Sequence, residues 1–194
     1  AVTAPAAALA KIIDEIYARQ IEPLAVDITA ARSTTPTLSV LFGTDTGTIA
    51  AATEVLSAAA KAAGASAHVM NEADEQAFWQ NRGAATLAHD TVVRLGWLPA
   101  NLPSVLAAVE RAAGTAGLTL YGRAAVGAGH LGLDGDAAAI TAAVSALRGL
   151  PEVGHVTVIK GPVALRQSVD AWPPARHQAV WARLKAAWDP TGTL

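Results

Sequence analysis

The sequence contains no cysteine, and its one methionine is Met70. Without thiols, disulfides, thiolate zinc sites, iron–sulfur clusters and cysteine nucleophiles are all excluded. The same absence suits a reducing compartment, and the expected location is the cytoplasm. Aromatic residues are scarce at 5%, and charged residues make up only 15%. Fourteen basic side chains against 16 acidic ones give a net charge of −2, so the chain lacks the basic balance that binding nucleic-acid phosphates requires. Long apolar runs are missing too. The longest segment without a charged side chain or histidine, Leu95 to Val109, carries Pro99 and Pro103 and falls short of the roughly 20 residues a membrane helix needs. No basic segment followed by an apolar run opens the chain, so no signal peptide is expected. There is no G-x-S-x-G elbow, no P-loop and no H-E-x-x-H helix. The five histidines, His68, His89, His130, His155 and His177, never fall at helical i, i+4 spacing, and no metal site is expected from them.

What is present is a chain of 194 residues, 52% hydrophobic and rich in alanine. That suffices for one domain, or two small ones, with a proper core. Such hydropathy at low net charge excludes intrinsic disorder. Ala6 to Gln20 reads as a helix with Leu9, Ile12, Ile13 and Ile16 on one face, and Pro5 at its first turn. Strands follow at Leu24–Ile28 and Thr37–Phe42, then an alanine-rich helix over Thr46–Ala63 closed by Gly64. A short strand, Ala67–Met70, precedes a polar helix, Glu72–Arg82, which Gly83 ends; the segment to His89 reads as a loop. The pattern then restarts. A strand at Thr91–Trp97, a helix at Leu102–Ala113, strands at Leu118–Arg123 and Val126–Leu133 and a helix at Asp136–Arg148 lead to a strand at His155–Ile159. Pro162–Ser168 reads as an irregular extended run and Pro174–Trp188 as the last helix.

Several strand-to-strand connections are too short for a parallel crossover. The expected architecture is α+β: a mainly antiparallel sheet with helices packed on one face, in two ferredoxin-like halves. A parallel Rossmann sheet is the alternative, weakened because Gly127, Gly129 and Gly132 fall in a segment that reads as strand rather than helix.

Three places carry candidate chemistry. In Phe78-Trp79-Gln80-Asn81-Arg82, the plain reading packs the aromatics and turns Arg82 to solvent. The sharper one sets Arg82 beside an apolar wall, gripping a carboxylate with its two-pronged guanidinium. In the segment Tyr121 to His130, Arg123 and His130 flank small residues that can bend the chain between two strands. That is either a hairpin with surface Arg and His or two polar heads aimed into one pocket. Trp172, Trp181 and Trp188 surround the last helix, which is either a packing helix or a docking surface.

In this order, these places resemble the C-terminal half of FAD-linked oxidases of the vanillyl-alcohol oxidase type. Within that family the chain is most similar to the smaller FAD-linked subunits of bacterial glycolate oxidases. Glu22 to Asp27 followed by Thr37–Gly43 resembles the opening of that half. Trp79-Gln80-Asn81-Arg82 resembles the family's W-x-x-R helix, and Arg94-Leu95-Gly96-Trp97-Leu98-Pro99 the strand ending in proline after it. Val169-Asp170-Ala171-Trp172 and Trp188-Asp189-Pro190-Thr191-Gly192 resemble its closing elements. The resemblance implies that Arg82 holds a substrate carboxylate, with Arg94, Arg123 and His130 completing the catalytic set around a small 2-hydroxy acid such as glycolate.

Related 2-hydroxy-acid dehydrogenases carry H-x-G-D-G-N-x-H at a divalent metal. Here Arg123 takes the place of the first histidine, His130 of the second, and Val126 and Ala128 replace the acid and the amide. No E-H-G follows Ile159. One retained ligand of three implies no metal, with Arg123 supplying a fixed positive charge instead. The resemblance further implies a substrate-side cap domain. Its FAD-binding domain would precede Ala1, a short tail would follow Leu194, and the partners would be other subunits of a glycolate-oxidase-like complex. FAD would belong to the full-length protein, and this segment alone would not turn over. The competing reading is a non-catalytic module that holds a flavin subunit against a catalytic partner.

Overall fold

The computed structural model describes residues 1–172 and 178–193. Its elements follow the chain as β1 (Val2–Thr3), α1 (Ala6–Ala18), β2 (Ala25–Ala31), β3 (Thr37–Leu41), α2 (Thr46–Ala62), β4 (Ser66–Ala67) and α3 (Glu72–Leu87). After α3 come β5 (Thr91–Trp97), α4 (Leu102–Ala112), β6 (Gly117–Arg123), β7 (Ala128–Asp134), α5 (Ala137–Arg148), β8 (Val153–Lys160), α6 (Val163–Ser168) and α7 (Gln178–Trp188). A single turn of 3₁₀ helix, Pro99–Asn101, leads into α4.

The eight strands form one sheet in the order β4-β1-β3-β2-β6-β7-β5-β8, every neighbouring pair antiparallel. Each run of strand–helix–strand–strand–helix–strand is a ferredoxin-like unit. β1 to β4 make one, β5 to β8 the other, and the two join edge to edge through β2 and β6. The expected α+β class and its two halves hold, but the helices are not all on one face: α3 packs on the opposite face of the sheet, where its Arg82 meets Asp27.

The core lies between one face of the sheet and a layer of helices. Leu9, Ile12 and Ile16 of α1, Val105 and Val109 of α4, and Ile140, Val144 and Leu147 of α5 are buried against Ile28, Leu38, Leu95, Leu120 and Leu131. The helical spacing of three and four on one side, and the strand spacing of two on the other, bring these stripes together. α5 begins where Asp136 accepts a hydrogen bond from the Ala139 amide at 2.7 Å. On this core face Trp97 needs room, and β6 and β7 supply it. Gly122 and Gly129 stand opposite each other, and a Cβ on Gly122 would come within 2.6 Å of the indole.

Three expectations need correction. The helix from Glu72 does not stop at Gly83 but continues to Leu87, because Gly83 keeps a right-handed backbone and Thr86 donates to the Arg82 carbonyl at 3.0 Å. Residues 162–168 are not extended: Pro162 stands at the N-cap, where its missing N–H costs nothing, and the helix α6 follows. Val126 lies in the turn between β6 and β7 rather than in a strand, with Gly127 at a φ of +72°. The last helix is described only from Gln178; its expected start at Pro174 lies outside the described residues. No helix among them is long and apolar enough to cross a membrane.

Candidate functional site

The sheet's second face carries the chemistry. Side chains alternate along a strand, so with Ile28, Leu120, Leu131 and Leu95 turned to the core, their neighbours turn the other way. Register then builds two rows across this face. One runs Thr29, Tyr121, His130, Arg94 and Thr157; the other Ser39, Asp27, Arg123, Ala128, Gly96 and His155. The long helix α3, which links the two halves, lies over part of this face and brings Trp79, Arg82 and Thr86 down to it. Between helix and sheet is an open hollow of about 500 Å³. Arg82, Arg94, Arg123 and His130 all line it, together with Asp27, Trp79 and Tyr121.

At its centre is a buried carboxylate. Asp27 forms ion pairs with Arg82, whose Nε lies 3.1 Å from Oδ2, and with Arg123, whose Nε lies 3.2 Å from Oδ1, while the buried Oδ1 has no hydrogen-bond partner among the described residues. Burial pushes the Asp27 carboxyl up, while the two guanidiniums act to hold it down. Arg82 is not the solvent-facing arginine of the plain sequence reading. Its side chain is only 14% exposed. It donates to the Ile28 carbonyl at 3.2 Å and, more loosely, to Thr29 Oγ1 and the Gly122 carbonyl at 3.5 Å. The Phe78 and Trp79 rings lie 6.0 and 5.8 Å from its guanidinium carbon. A donor set spent on Asp27 and main-chain carbonyls makes Arg82 the tie between α3 and the β2–β6 seam.

The other cations are available. Arg123 keeps 57% of its side chain exposed while touching Asp27. Arg94 is exposed and has no hydrogen bond or ion pair among the described residues. His130 lies directly beside it across the β5–β7 ladder. Burial, then the positive charge of Arg94, pushes the His130 imidazolium down, so the ring is neutral at neutral pH. The turn carrying Arg123 is pinned from the far side by Tyr17, whose hydroxyl donates to the Ala125 carbonyl at 3.0 Å.

Sequence reasoning misses Asp27, the one acid of the hollow. Its signal is a carboxylate inside the otherwise apolar run Ala25-Val26-Asp27-Ile28, which demands a buried partner. The three tryptophans near the end lie outside the hollow: Trp172, Trp181 and Trp188 are 75, 62 and 86% exposed. Among the described residues no group of three or more His, Asp or Glu gathers as a metal cage. His89 and Asp134 pair at 2.6 Å at the side of the sheet, with the His89 ring over Gly132.

Phosphate groups such as those of FAD are bound in other proteins by free amides at helix starts, and among the described residues the starts of α1, α4 and α6 carry no side-chain cap. The starts of α2, α3 and α5 are occupied by the side chains of Asp45, Asn71 and Asp136, and the first turn of α3 adds Glu72, Asp74 and Glu75.

Searches of family models, of curated proteins and of solved structures each returned no match to this chain.

Proposed function

We propose that the hollow binds a small carboxylate, and that the chain is the substrate-side domain of a flavin-dependent oxidoreductase acting on a 2-hydroxy acid such as glycolate. The observation that carries the reading is the gathering of Arg94, Arg123 and His130, three hydrogen-bond donors or acceptors with spare capacity, on one open sheet face. Guanidiniums in a partly dry hollow bind a carboxylate with charge-assisted hydrogen bonds. A neutral imidazole beside them accepts the proton of the substrate hydroxyl. Hydride acceptance is the chemistry a flavin supplies, and in this reading the flavin belongs to a separate domain or subunit facing the hollow. Arg82 holds the floor in place. The setting is cytoplasmic, among other subunits of an oxidase complex.

The test is calorimetric titration of the chain with glycolate and lactate. Saturable binding is expected, lost in the double variant Arg94→Gln, Arg123→Gln, with a cooperative melting transition showing that the variant folds. Absence of binding, or binding that survives the double variant, overturns the reading. A second reading, an assembly module without turnover, is favoured by the exposed Trp172, Trp181 and Trp188. It predicts capture of a partner subunit that the double variant leaves intact and that tryptophan-to-alanine variants abolish.

A further inference from the structure

The spacing of Arg94 and Arg123 constrains the ligand further than their presence does. Of the three guanidiniums in the hollow, Asp27 offsets one, and His130 is neutral. A dianion can set one negative charge against each of the two available guanidiniums, whereas a monocarboxylate can meet one of them. The two available arginines are also held apart. Arg94 and Arg123 are separated by two strand spacings and by two residue positions along the strands, which places their Cα atoms about 12 Å apart. Asp27, directly opposite Arg123 on β2, draws that guanidinium away from β5 and so away from Arg94. With Arg123 kept there, both forks cannot close on one carboxylate. Between the two poles stand His130, next to Arg94, and Tyr121, next to His130 on β6.

We infer that the hollow is shaped for a dianion whose charges sit on two separate groups, a short hydroxy-dicarboxylate, with one carboxylate on Arg94, the other on Arg123 and the hydroxyl at His130. This rests on the anion-binding reading above and narrows its substrate class. Asp27 is the specificity-determining residue in this arrangement: it contacts no ligand but sets where the second pole stands. The hollow of about 500 Å³ has room for a chain of this length beneath α3.

The experiment is a set of calorimetric titrations at one low ionic strength with glycolate, malate and inorganic phosphate, on the wild-type chain and on Arg94→Gln and Arg123→Gln. Malate should bind roughly tenfold or more tighter than glycolate, as one added charge-assisted contact provides. Either single variant should bring malate down to about the glycolate level. Arg123→Gln leaves Asp27 paired with Arg82, and cooperative melting transitions verify that both variants fold. Equal affinity for glycolate and malate overturns the two-pole inference while leaving anion binding standing. Phosphate binding tighter than malate overturns it too, because the poles would then converge on a single centre. No binding of any of the three removes the anion-binding reading itself, and the inference with it.

Discussion

At the scale of single residues, the main revision concerns Arg82. The W-x-x-R pattern was legible in the sequence, but its neighbours in space were not: Asp27, the Ile28 carbonyl and the Gly122 carbonyl come from strands 40 to 55 positions away. A local pattern of aromatics and arginine fits a solvated helix face equally well, and only the buried acid decides between them. Removing one partner of a buried ion pair leaves the other charge uncompensated. Arg82→Ala is therefore expected to destabilise the chain by about 2–3 kcal/mol, below the full cost of such a loss because Arg123 still reaches Asp27. Chemical denaturation measures this, and an unchanged midpoint would show that the Asp27 cluster contributes little. Arg94→Ala, at an exposed and unpartnered position, is expected to stay within about 0.5 kcal/mol of wild type in the same assay.

His130 gives a residue-scale prediction in pH. Its imidazolium is disfavoured in the folded chain, so the unfolded chain takes up the proton first as pH falls. The stability involved is present above the ordinary histidine value of about 6.5 and is lost as pH falls through that value toward the lower folded one. His130→Gln should flatten the part of the melting-temperature profile between about pH 7 and 5 that this group causes. An identical slope in the variant would locate that pH dependence elsewhere.

At the scale of elements, strand and helix periodicity was legible for the long segments. Thr91–Trp97 is bounded as expected, and α1, α2, α4 and α5 differ from expectation by a residue or two at their ends. What escaped has physical causes. β1 is two residues long and owes its place to pairing with β3 and β4, which no local signal reports. Gly64 follows α2 in the left-handed backbone at φ +71°, whereas Gly83 keeps a right-handed backbone and α3 runs on through it. α6 is a single short helix behind a proline, and its one buried residue is Leu165.

The slot for Trp97 yields the prediction at this scale. Gly122→Ala would press a methyl group to 2.6 Å from the indole, and the neighbouring strand backbone leaves little room to relax. Overpacking of this kind costs about 1–3 kcal/mol. The strand positions on either side of Gly122 carry Tyr121 and Arg123, so anion affinity should fall together with the melting temperature. A variant as stable as wild type would mean that the indole moves freely.

At the scale of the whole molecule, two ferredoxin-like halves fuse into one sheet whose first face is filled by helices and whose second face is only partly covered by α3. The α+β class and the two halves were legible because the order helix–strand–strand–helix–strand recurs, although the first half's opening strand, β1, was not. The site was legible in part. Arg82, Arg94, Arg123 and His130 could be named from motifs, and strand parity with the β5–β7–β6 register explains why they meet. Which arginine is spent on structure and which is free could not be read without the partner of each. With side chains capping the starts of α2, α3 and α5 and no glycine-rich loop leading into a helix among the described residues, the purified chain is expected to be colourless and to retain no FAD through gel filtration. A co-eluting flavin absorbance band would contradict that.

The central claim is that a small hydroxy-acid anion binds beside His130. It is tested most directly by following the His130 ring resonances by NMR across pH, with and without lactate, the signals assigned by the His130→Gln variant. A bound carboxylate offsets the positive charge of Arg94 and favours the imidazolium. The account predicts that lactate raises the pKa of His130. A His130 titration unmoved by saturating lactate, or an equal drift of all the histidines, would contradict it.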